Sequence, residues 1–332
     1  MAKKIMRRGS SDRKYGMKAA PLYPEQLADR IGKFNALGID PLIELHLFGG
    51  KDVFDPGVVK KMIENCNKYK AEYYVHFPVQ DADGFGVFDP AIHPDAYFEE
   101  VLNFSRSIGA KGMIMHRIYG IDMPDNKENA VKDFNARLIK WGEKAHPLAI
   151  YLENYSFIWL PKEFKQEYVV SPLDHFFPWE MAETIKLIKD NNIRNIFVMV
   201  DIAHAVITSN MFNLLKSRSS LKNDPRFSNI SSQDLAQTDQ LSPKDFLVKG
   251  IAPYFHVSDS FVWRQRDGLN DLHKYMCSEG LPIGKGNIDF TDLFGNLANG
   301  AVMIMEIFPE DGDHANNKSQ LKAIEWFKIC EN

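Results

Sequence analysis

The sequence predicts a single-domain α/β protein, a (β/α)8 barrel, and two observations carry this prediction. First, short apolar runs rich in Val, Ile, Tyr and Met alternate with helical stretches along the chain, as buried parallel strands with helical crossovers do. Second, seven of these runs end in a carboxylate or an imidazole. The residues at these ends are Glu44, His76, His116, Glu153, Asp201, His256 and Glu306.

An earlier strand is expected at residues 14–19, which brings the number of strands to eight. A barrel fits this series better than an open sheet, because the C-terminal ends of all barrel strands converge on one mouth. An open sheet would spread the same ends over a much longer line. Since an ionisable residue at the end of a buried run needs a partner or a metal, the recurrence predicts one shared site.

The helical stretches place apolar residues on one face with a period near 3.6. The first begins at Pro24 and ends at Gly38, and the second begins after Asp55 with Pro56 at an early helical position. The other predicted helices are 94–108, 126–145, 178–191, 242–249, 290–298 and 316–330.

The whole barrel is expected within residues 14–332, after a basic N-terminal arm at 1–13. One region, 208–240, is irregular, polar and rich in Ser and Asn. It follows the sixth predicted strand, so it is either a lid-like insertion over the mouth or a surface loop.

The composition is that of a soluble globular protein, with 45% hydrophobic and 25% charged residues among 332. The net charge of −4 disfavours a nucleic-acid partner, although a local basic groove is compatible with that average. Cys66, Cys277 and Cys330 lack CxxC spacing, which predicts reduced thiols in a cytoplasmic protein. No apolar run approaches the roughly 18 residues of a membrane span.

Four of the strand-end residues form the strongest candidate metal site. They are Glu153, Asp201, His256 and Glu306. Each alone could cap a helix or pair with an arginine, but together three carboxylates and one imidazole suit Mn, Co, Mg or Zn. His204 lies three residues after Asp201, and Asp259 lies three residues after His256, so the turns leaving two adjacent strands can direct both pairs to one cavity.

Five short motifs, taken in order, resemble the xylose-isomerase-like TIM-barrel superfamily from about residue 14 to the C-terminus. They are Leu-Glu-Asn (152–154), Asp-Ile-Ala-His (201–204), His-Val-Ser-Asp-Ser (256–260), Ile-Gly-Lys-Gly-Asn-Ile-Asp (283–289) and Met-Glu-Ile (305–307). That superfamily contains sugar and sugar-phosphate isomerases and epimerases, and also the apurinic-site DNA-repair endonucleases.

Resemblance to the epimerase branch implies that the quartet holds one divalent metal ion and that Glu153 and Glu306 act as acid and base. Proton abstraction next to a carbonyl needs a Lewis acid for the developing enediolate and a carboxylate close to the carbon acid. His204 would hold a substrate hydroxyl. The leading hypothesis is therefore a divalent-metal-dependent sugar or sugar-phosphate isomerase or epimerase with a small carbohydrate substrate.

Resemblance to the endonuclease branch implies a zinc-dependent phosphodiester hydrolase with additional ligands at His76, His116 and His204. That branch also requires an Asp-x-His pair just before the glycine turn. Asp271 and His273 stand several residues too early for this pattern, which puts the third zinc in doubt. The acidic net charge also disfavours a grip on DNA phosphates. A lyase or dehydratase, and a barrel that only binds its ligand, remain open.

Three further residues are predicted to contact substrate. Glu44 shares a face with His46 by period-two geometry, and either accepts a substrate hydrogen bond or belongs to a polar interior layer. Lys285 replaces the acidic residue expected in the glycine turn, so it either holds an anionic group or is solvated. Trp159 either packs against a sugar ring or fills a loop. A homo-oligomer is also open, since such barrels often pair.

Overall fold

The computed structural model describes residues 13–47, 52–78, 94–117, 127–156, 158–160, 168–170, 177–218, 221, 230–264, 272–276, 278–294, 300–308 and 317–331. For residues 127, 130, 158–160, 168–170, 272, 273 and 331 it describes the backbone alone. The predicted N-terminal arm, apart from its last residue, lies outside the described ranges.

Eight parallel strands close into a barrel, which confirms the predicted fold. The described strands are β1 (Lys14–Ala19), β2 (Leu42–His46), β3 (Glu72–His76), β4 (Gly112–His116), β5 (Ala149–Glu153), β6 (Ile158–Leu160), β7 (Tyr168–Val170), β8 (Ile196–Asp201), β9 (Tyr254–Val257) and β10 (Val302–Met305). Around the barrel the order is β1-β10-β9-β8-β5-β4-β3-β2. β6 and β7 pair antiparallel outside the barrel, where the sequence predicts no strand.

The described helices are α1 (Pro24–Ala36), α2 (Pro56–Lys68), α3 (Pro94–Ser107), α4 (Lys127–Ala145), α5 (Pro178–Asp190), α6 (Ile202–Ser217), α7 (Ser232–Ala236), α8 (Leu272–Met276), α9 (Phe290–Phe294) and α10 (Lys318–Glu331). The bounds of α1, α3, α4, α5 and α10 agree with the predicted helices to within two residues. Asp55 caps α2 by accepting from the N–H groups of Gly57 and Val58. None of the described helices is long and apolar enough to cross a membrane.

Two helical segments differ from the sequence prediction. The stretch 242–249 contains a single 3-10 turn, Pro243–Phe246, rather than a helix. Conversely, the first ten residues of the predicted insertion belong to α6. This helix is buried on nearly every face, so its sequence lacks the alternation of polar and apolar faces that predicts a surface helix. A lid role for the remainder of 208–240 stays a prediction.

The barrel lumen is closed by an apolar layer halfway along the strands. Its members are Leu42, Tyr74, Ile114, Met199, Ala252, Tyr254 and Ile304, with Tyr151 and Val302 packed against them. A second, larger core lies between the outer face of the strands and the helices. Cys66 is a buried free thiol and Cys330 is half-buried, whereas Cys277 lies outside the described residues.

Candidate metal centre

The seven residues predicted at strand ends all lie above the apolar layer and are at most 9% exposed. Each stands two positions after a lumen residue of its own strand, as Glu44 follows Leu42 and His256 follows Tyr254. Because side chains alternate between the two faces of a strand, each of the seven also points into the lumen. We call these seven residues, together with Lys18 of β1, the polar layer.

Three carboxylates of the polar layer converge on one nitrogen, Nδ1 of His256. The oxygen Oε2 of Glu306 lies 2.5 Å from it, Oε1 of Glu153 lies 3.0 Å away, and Oδ2 of Asp201 lies 3.9 Å away. The four residues come from β5, β8, β9 and the end of β10. One ligand atom from each lies within 4.8 Å of the others, so the predicted quartet is close enough to share one ion.

The donor chemistry of this quartet fits a divalent cation. The single Nδ1 atom of His256 can make one well-aligned hydrogen bond to a carboxylate oxygen, and that bond goes to Oε1 of Glu153. The oxygens Oδ2 of Asp201 and Oε2 of Glu306 are buried without a hydrogen-bond partner in the described part of the chain. Buried carboxylate oxygens need a donor or a cation. Oxygen ligands with one imidazole suit Mg, Mn, Co or Zn.

The opposite side of the His256 ring is fixed by Glu44. The distance from Nε2 of His256 to Oε2 of Glu44 is 2.8 Å, and the hydroxyl of Tyr254 donates to the same oxygen at 2.9 Å. Glu44 is fully buried and is also 3.2 Å from Nε2 of His46. With a cation in the quartet, a carboxylate at Nε2 would keep the proton there and leave the lone pair of Nδ1 for the ion.

The electrostatics of the layer show how strongly its charges interact. Burial lowers the pKa of His256, but Glu153 and Glu44 raise it well above its ordinary value. Burial raises the pKa of Asp201 to about 7, with Glu306 and Glu153 adding to the effect and His204 opposing it. A carboxyl group whose ionised form is disfavoured in this way is one that a bound cation would stabilise.

Asp201 combines the two roles that the sequence left open. Its Oδ1 accepts from the backbone N–H of His204 at 2.7 Å and so caps α6, while Oδ2 faces the quartet. The side chain of Asn154 holds the backbone of Asp201, accepting from its N–H at 2.7 Å and donating to its carbonyl at 3.2 Å. Capping therefore uses one oxygen of the carboxylate and leaves the other facing the quartet.

A second group of donors approaches the other oxygen of Glu153. Nε2 of His76 lies 3.2 Å from Oε2, and Nε2 of His116 lies 2.8 Å from it. The Nδ1 of His76 is 2.7 Å from the Phe77 carbonyl, which fixes its proton there and leaves the Nε2 lone pair towards Glu153. These three residues could hold a second ion, with Glu153 shared between both groups.

A third group, Glu44, His46 and His76, also brings donor atoms within 4.8 Å of one another. However, the rings of His46 and His76 are stacked, with centroids 4.5 Å apart and planes 29° from parallel. The lone pairs of stacked imidazoles lie in the ring planes and do not meet at one point. This group is therefore less suited to a metal than the other two.

His204 and Asp259, predicted as additional ligands, have different surroundings. Nδ1 of His204 is 2.8 Å from the Asn154 carbonyl, and its Nε2 is 3.3 Å from Oε2 of Glu279. Asp259 instead accepts four backbone hydrogen bonds. The donors are Ser260, Gly284, Gly286 and Ile288, at 2.8 to 3.2 Å. Its carboxylate thereby anchors the glycine turn rather than pointing to the quartet.

The remaining predicted residues contribute less to the described geometry. Lys285 is exposed at the tip of the glycine turn. Asp271 lies outside the described residues, and the side chains of His273 and Trp159 are not described. Their predicted roles therefore remain predictions.

Two residues near the site are absent from the sequence prediction. Lys18 contacts Oε1 of Glu306 and is 13% exposed. The sequence signal for Lys18 is a charged residue inside a barrel strand, two positions after Gly16 and therefore on the same face of that strand. Glu279 reaches His204 from the loop before the glycine turn, and the path of that loop cannot be derived from local sequence.

The chain belongs to the xylose isomerase-like TIM-barrel family, whose model matches residues 43–330. No match was found among curated proteins.

Several solved structures share the fold. The chain is similar to 3-keto-D-glucoside 4-epimerase from E. coli, with 14% identity, a TM-score of 0.51, and coverage of 96% of this chain and 100% of that one. It is similar to D-allulose 3-epimerase from Methylomonas sp. in complex with D-allulose, with 16% identity, a TM-score of 0.52, and coverage of 98% of this chain and 99% of that one. It is also similar to an AP endonuclease of family 2 from Brucella melitensis, with 11% identity, a TM-score of 0.52, and coverage of 95% of this chain and 98% of that one. At these identities the likeness shows the fold and does not choose between the activities.

Proposed function

We propose that this protein is a divalent-metal-dependent isomerase or epimerase that acts on a small polyhydroxylated carbonyl compound, a sugar or sugar phosphate. The observation that carries the proposal is the convergence of Glu153, Asp201 and Glu306 on Nδ1 of His256. The likeness to two epimerases agrees with it. All four side chains would hold the ion, which when bound polarises a substrate carbonyl as a Lewis acid.

The two glutamates are proposed as acid and base. They come from β5 and the end of β10, which are separated around the barrel by β8 and β9. Two carboxylates so placed can approach a bound substrate from different sides, one removing a proton next to the carbonyl and the other returning it. The pKa of Glu306 lies well below its ordinary value, because Lys18 and His256 outweigh the effect of burial, and this keeps the carboxylate ionised.

His204 is proposed to hold a substrate oxygen near the quartet. The Asn154 carbonyl orients its ring, and Nε2 points to Glu279, which is a quarter exposed. A hydroxyl group in this position would meet both an imidazole and a carboxylate. That arrangement favours a polyhydroxylated substrate over an apolar one.

The test is exchange of substrate hydrogen with solvent. Protein loaded with Mn²⁺ or Co²⁺ is incubated with a panel of ketoses and ketose phosphates in D2O, and deuterium at the carbon next to the carbonyl is followed by NMR. We expect exchange and a new epimer or isomer with wild type and none with Glu153→Gln. Glu72→Gln, which changes a carboxylate at the opposite end of the barrel, should exchange normally. Lack of exchange across the panel would refute the proposal.

The second candidate is a zinc-dependent phosphodiester hydrolase of the AP endonuclease type. The approach of His76 and His116 to Oε2 of Glu153 favours it, because it offers a place for a second ion. Metal content per chain separates the two candidates. About one ion per chain supports the isomerase, while two or three zinc ions together with cleavage of abasic DNA would support the hydrolase.

A further inference from the structure

Lys18 is the one lysine or arginine in the polar layer among the residues that the structure describes. It lies on β1, in register with Glu44 of β2, and its ammonium group contacts Oε1 of Glu306. The surrounding carboxylates raise its pKa although burial lowers it. Lys18 therefore places a positive charge directly against a carboxylate of the candidate cation site.

The backbone of Lys18 is held from both sides by buried polar side chains. Nε of Arg30 on α1 donates to the Lys18 carbonyl at 2.9 Å. The Lys18 N–H donates to Oε1 of Gln320 on α10 at 3.1 Å. Arg30 is 1% exposed and Gln320 is 6% exposed. Two outer helices thus direct buried groups at this one residue, so the path of the lysine side chain into the lumen is well defined.

The two oxygens of Glu306 consequently have different partners. Oε1 pairs with the Lys18 ammonium, and Oε2 is 2.5 Å from Nδ1 of His256, the nitrogen on which the other carboxylates converge. Lys18 therefore pairs with Oε1 of Glu306, and Oε2 of the same carboxylate faces the centre of the quartet.

We propose that Lys18 is a positioning residue of the metal centre, which holds Oε1 of Glu306 so that this glutamate offers a single oxygen, Oε2, to the cation. This inference rests on the proposed function, because it requires the quartet to hold a metal. Without the ammonium, both oxygens of Glu306 become available to the ion, and the number or arrangement of ligands changes.

The experiment uses the visible absorption of bound Co²⁺, which reports the number and geometry of its ligands. The variants are Lys18→Met, which keeps the length of the stem, and Lys18→Gln, which keeps a polar head without the charge. The control is Lys14→Met on the same strand, which removes a lysine that is 54% exposed and paired with Glu72 at 2.7 Å. Folding of each variant is checked by thermal unfolding.

We expect the cobalt bands to shift and weaken in Lys18→Met and Lys18→Gln, and to keep their wild-type energy and intensity in Lys14→Met. If Lys18→Met does not fold, the spectrum of Lys18→Gln decides. A folded Lys18 variant with the wild-type cobalt spectrum overturns the role of Lys18 and leaves the proposed function standing. If wild type itself takes up no cobalt, the proposed function fails, and the role of Lys18 fails with it.

Discussion

Glu44 is the residue whose contacts do most to define the state of His256. Its carboxylate is fully buried and lies 2.8 Å from Nε2 of His256 and 2.9 Å from the Tyr254 hydroxyl. The pKa of Glu44 is lowered, because the charge of His256 outweighs the effect of burial. These contacts place Glu44 behind the ring of His256, which accounts for its burial better than a direct contact with substrate.

We expect Glu44→Gln to weaken binding of Mn²⁺ or Co²⁺ by about 10- to 100-fold, the usual effect of losing the outer partner of a ligating histidine. The amide no longer favours the proton at Nε2, so Nδ1 presents its lone pair less often. Affinity is measured by competition with a chelating dye. The control is Glu72→Gln, which changes a carboxylate at the other end of the barrel. Equal affinity in both variants would show that Glu44 does not control the ligand.

The glycine turn is the element that shows best how one carboxylate can organise a loop. Asp259 is 2% exposed and accepts from four backbone N–H groups of its own turn and the glycine turn. Gly286 is required at this point, because a Cβ there would lie 2.2 Å from the Ser260 carbonyl oxygen. The turn packs against the strand end that carries His256, so it supports the mouth of the barrel.

Asp259→Ala should lower the free energy of unfolding by about 3 kcal/mol, because it leaves four backbone N–H groups, one buried and three partly buried, without their charged acceptor. Metal affinity should stay close to that of wild type, since the carboxylate serves the turn. The free energy of unfolding is measured by denaturant unfolding, and the metal affinity is measured by metal titration. Asp289→Ala is the matched control, because it removes a helix cap at an exposed position and should cost about 1 kcal/mol. A large loss of metal affinity in Asp259→Ala would instead identify Asp259 as a ligand.

At the scale of the whole molecule, the polar layer concentrates negative charge inside the barrel. Its carboxylates are those of Glu44, Glu153, Asp201 and Glu306, and the one ammonium among its described residues, that of Lys18, contacts Glu306. The mutual repulsion of these groups opposes folding, and histidine protonation or a bound cation relieves it. Stability of the entire barrel should therefore depend on metal.

Saturating Mn²⁺ or Co²⁺ should raise the midpoint of thermal unfolding, since a ligand at 100 times its Kd stabilises the folded state by about 2.7 kcal/mol. Differential scanning fluorimetry after chelator treatment measures the shift. The shift should disappear in a variant that combines Asp201→Asn with Glu306→Gln and persist in Glu72→Gln. An equal shift in all of these proteins would place the ion somewhere other than the quartet.

Local patterns predicted the barrel well because its elements carry their own signals. Seven of the eight parallel strands are largely apolar and carry a ligand-type residue at their end, and α1 to α5 and α10 show a buried face or begin at a proline. Helix α6 escaped prediction because both its faces are buried, so no polar face marks it. The β6–β7 pair is short and lies outside the barrel, so it is not part of the alternation of strands and helices that predicts the other strands.

The candidate site, too, was predictable from the sequence in part and required the tertiary structure for the rest. The sequence by itself determined that seven ionisable residues stand at the ends of buried strands, since period and position relative to apolar runs are local properties. Only the tertiary structure decided which oxygen of Asp201 caps α6 and which faces the quartet, and that Lys18, Glu44 and Glu279 stand beside its residues. Those contacts join residues up to 288 positions apart, and they depend on closure of the barrel, which no local pattern encodes.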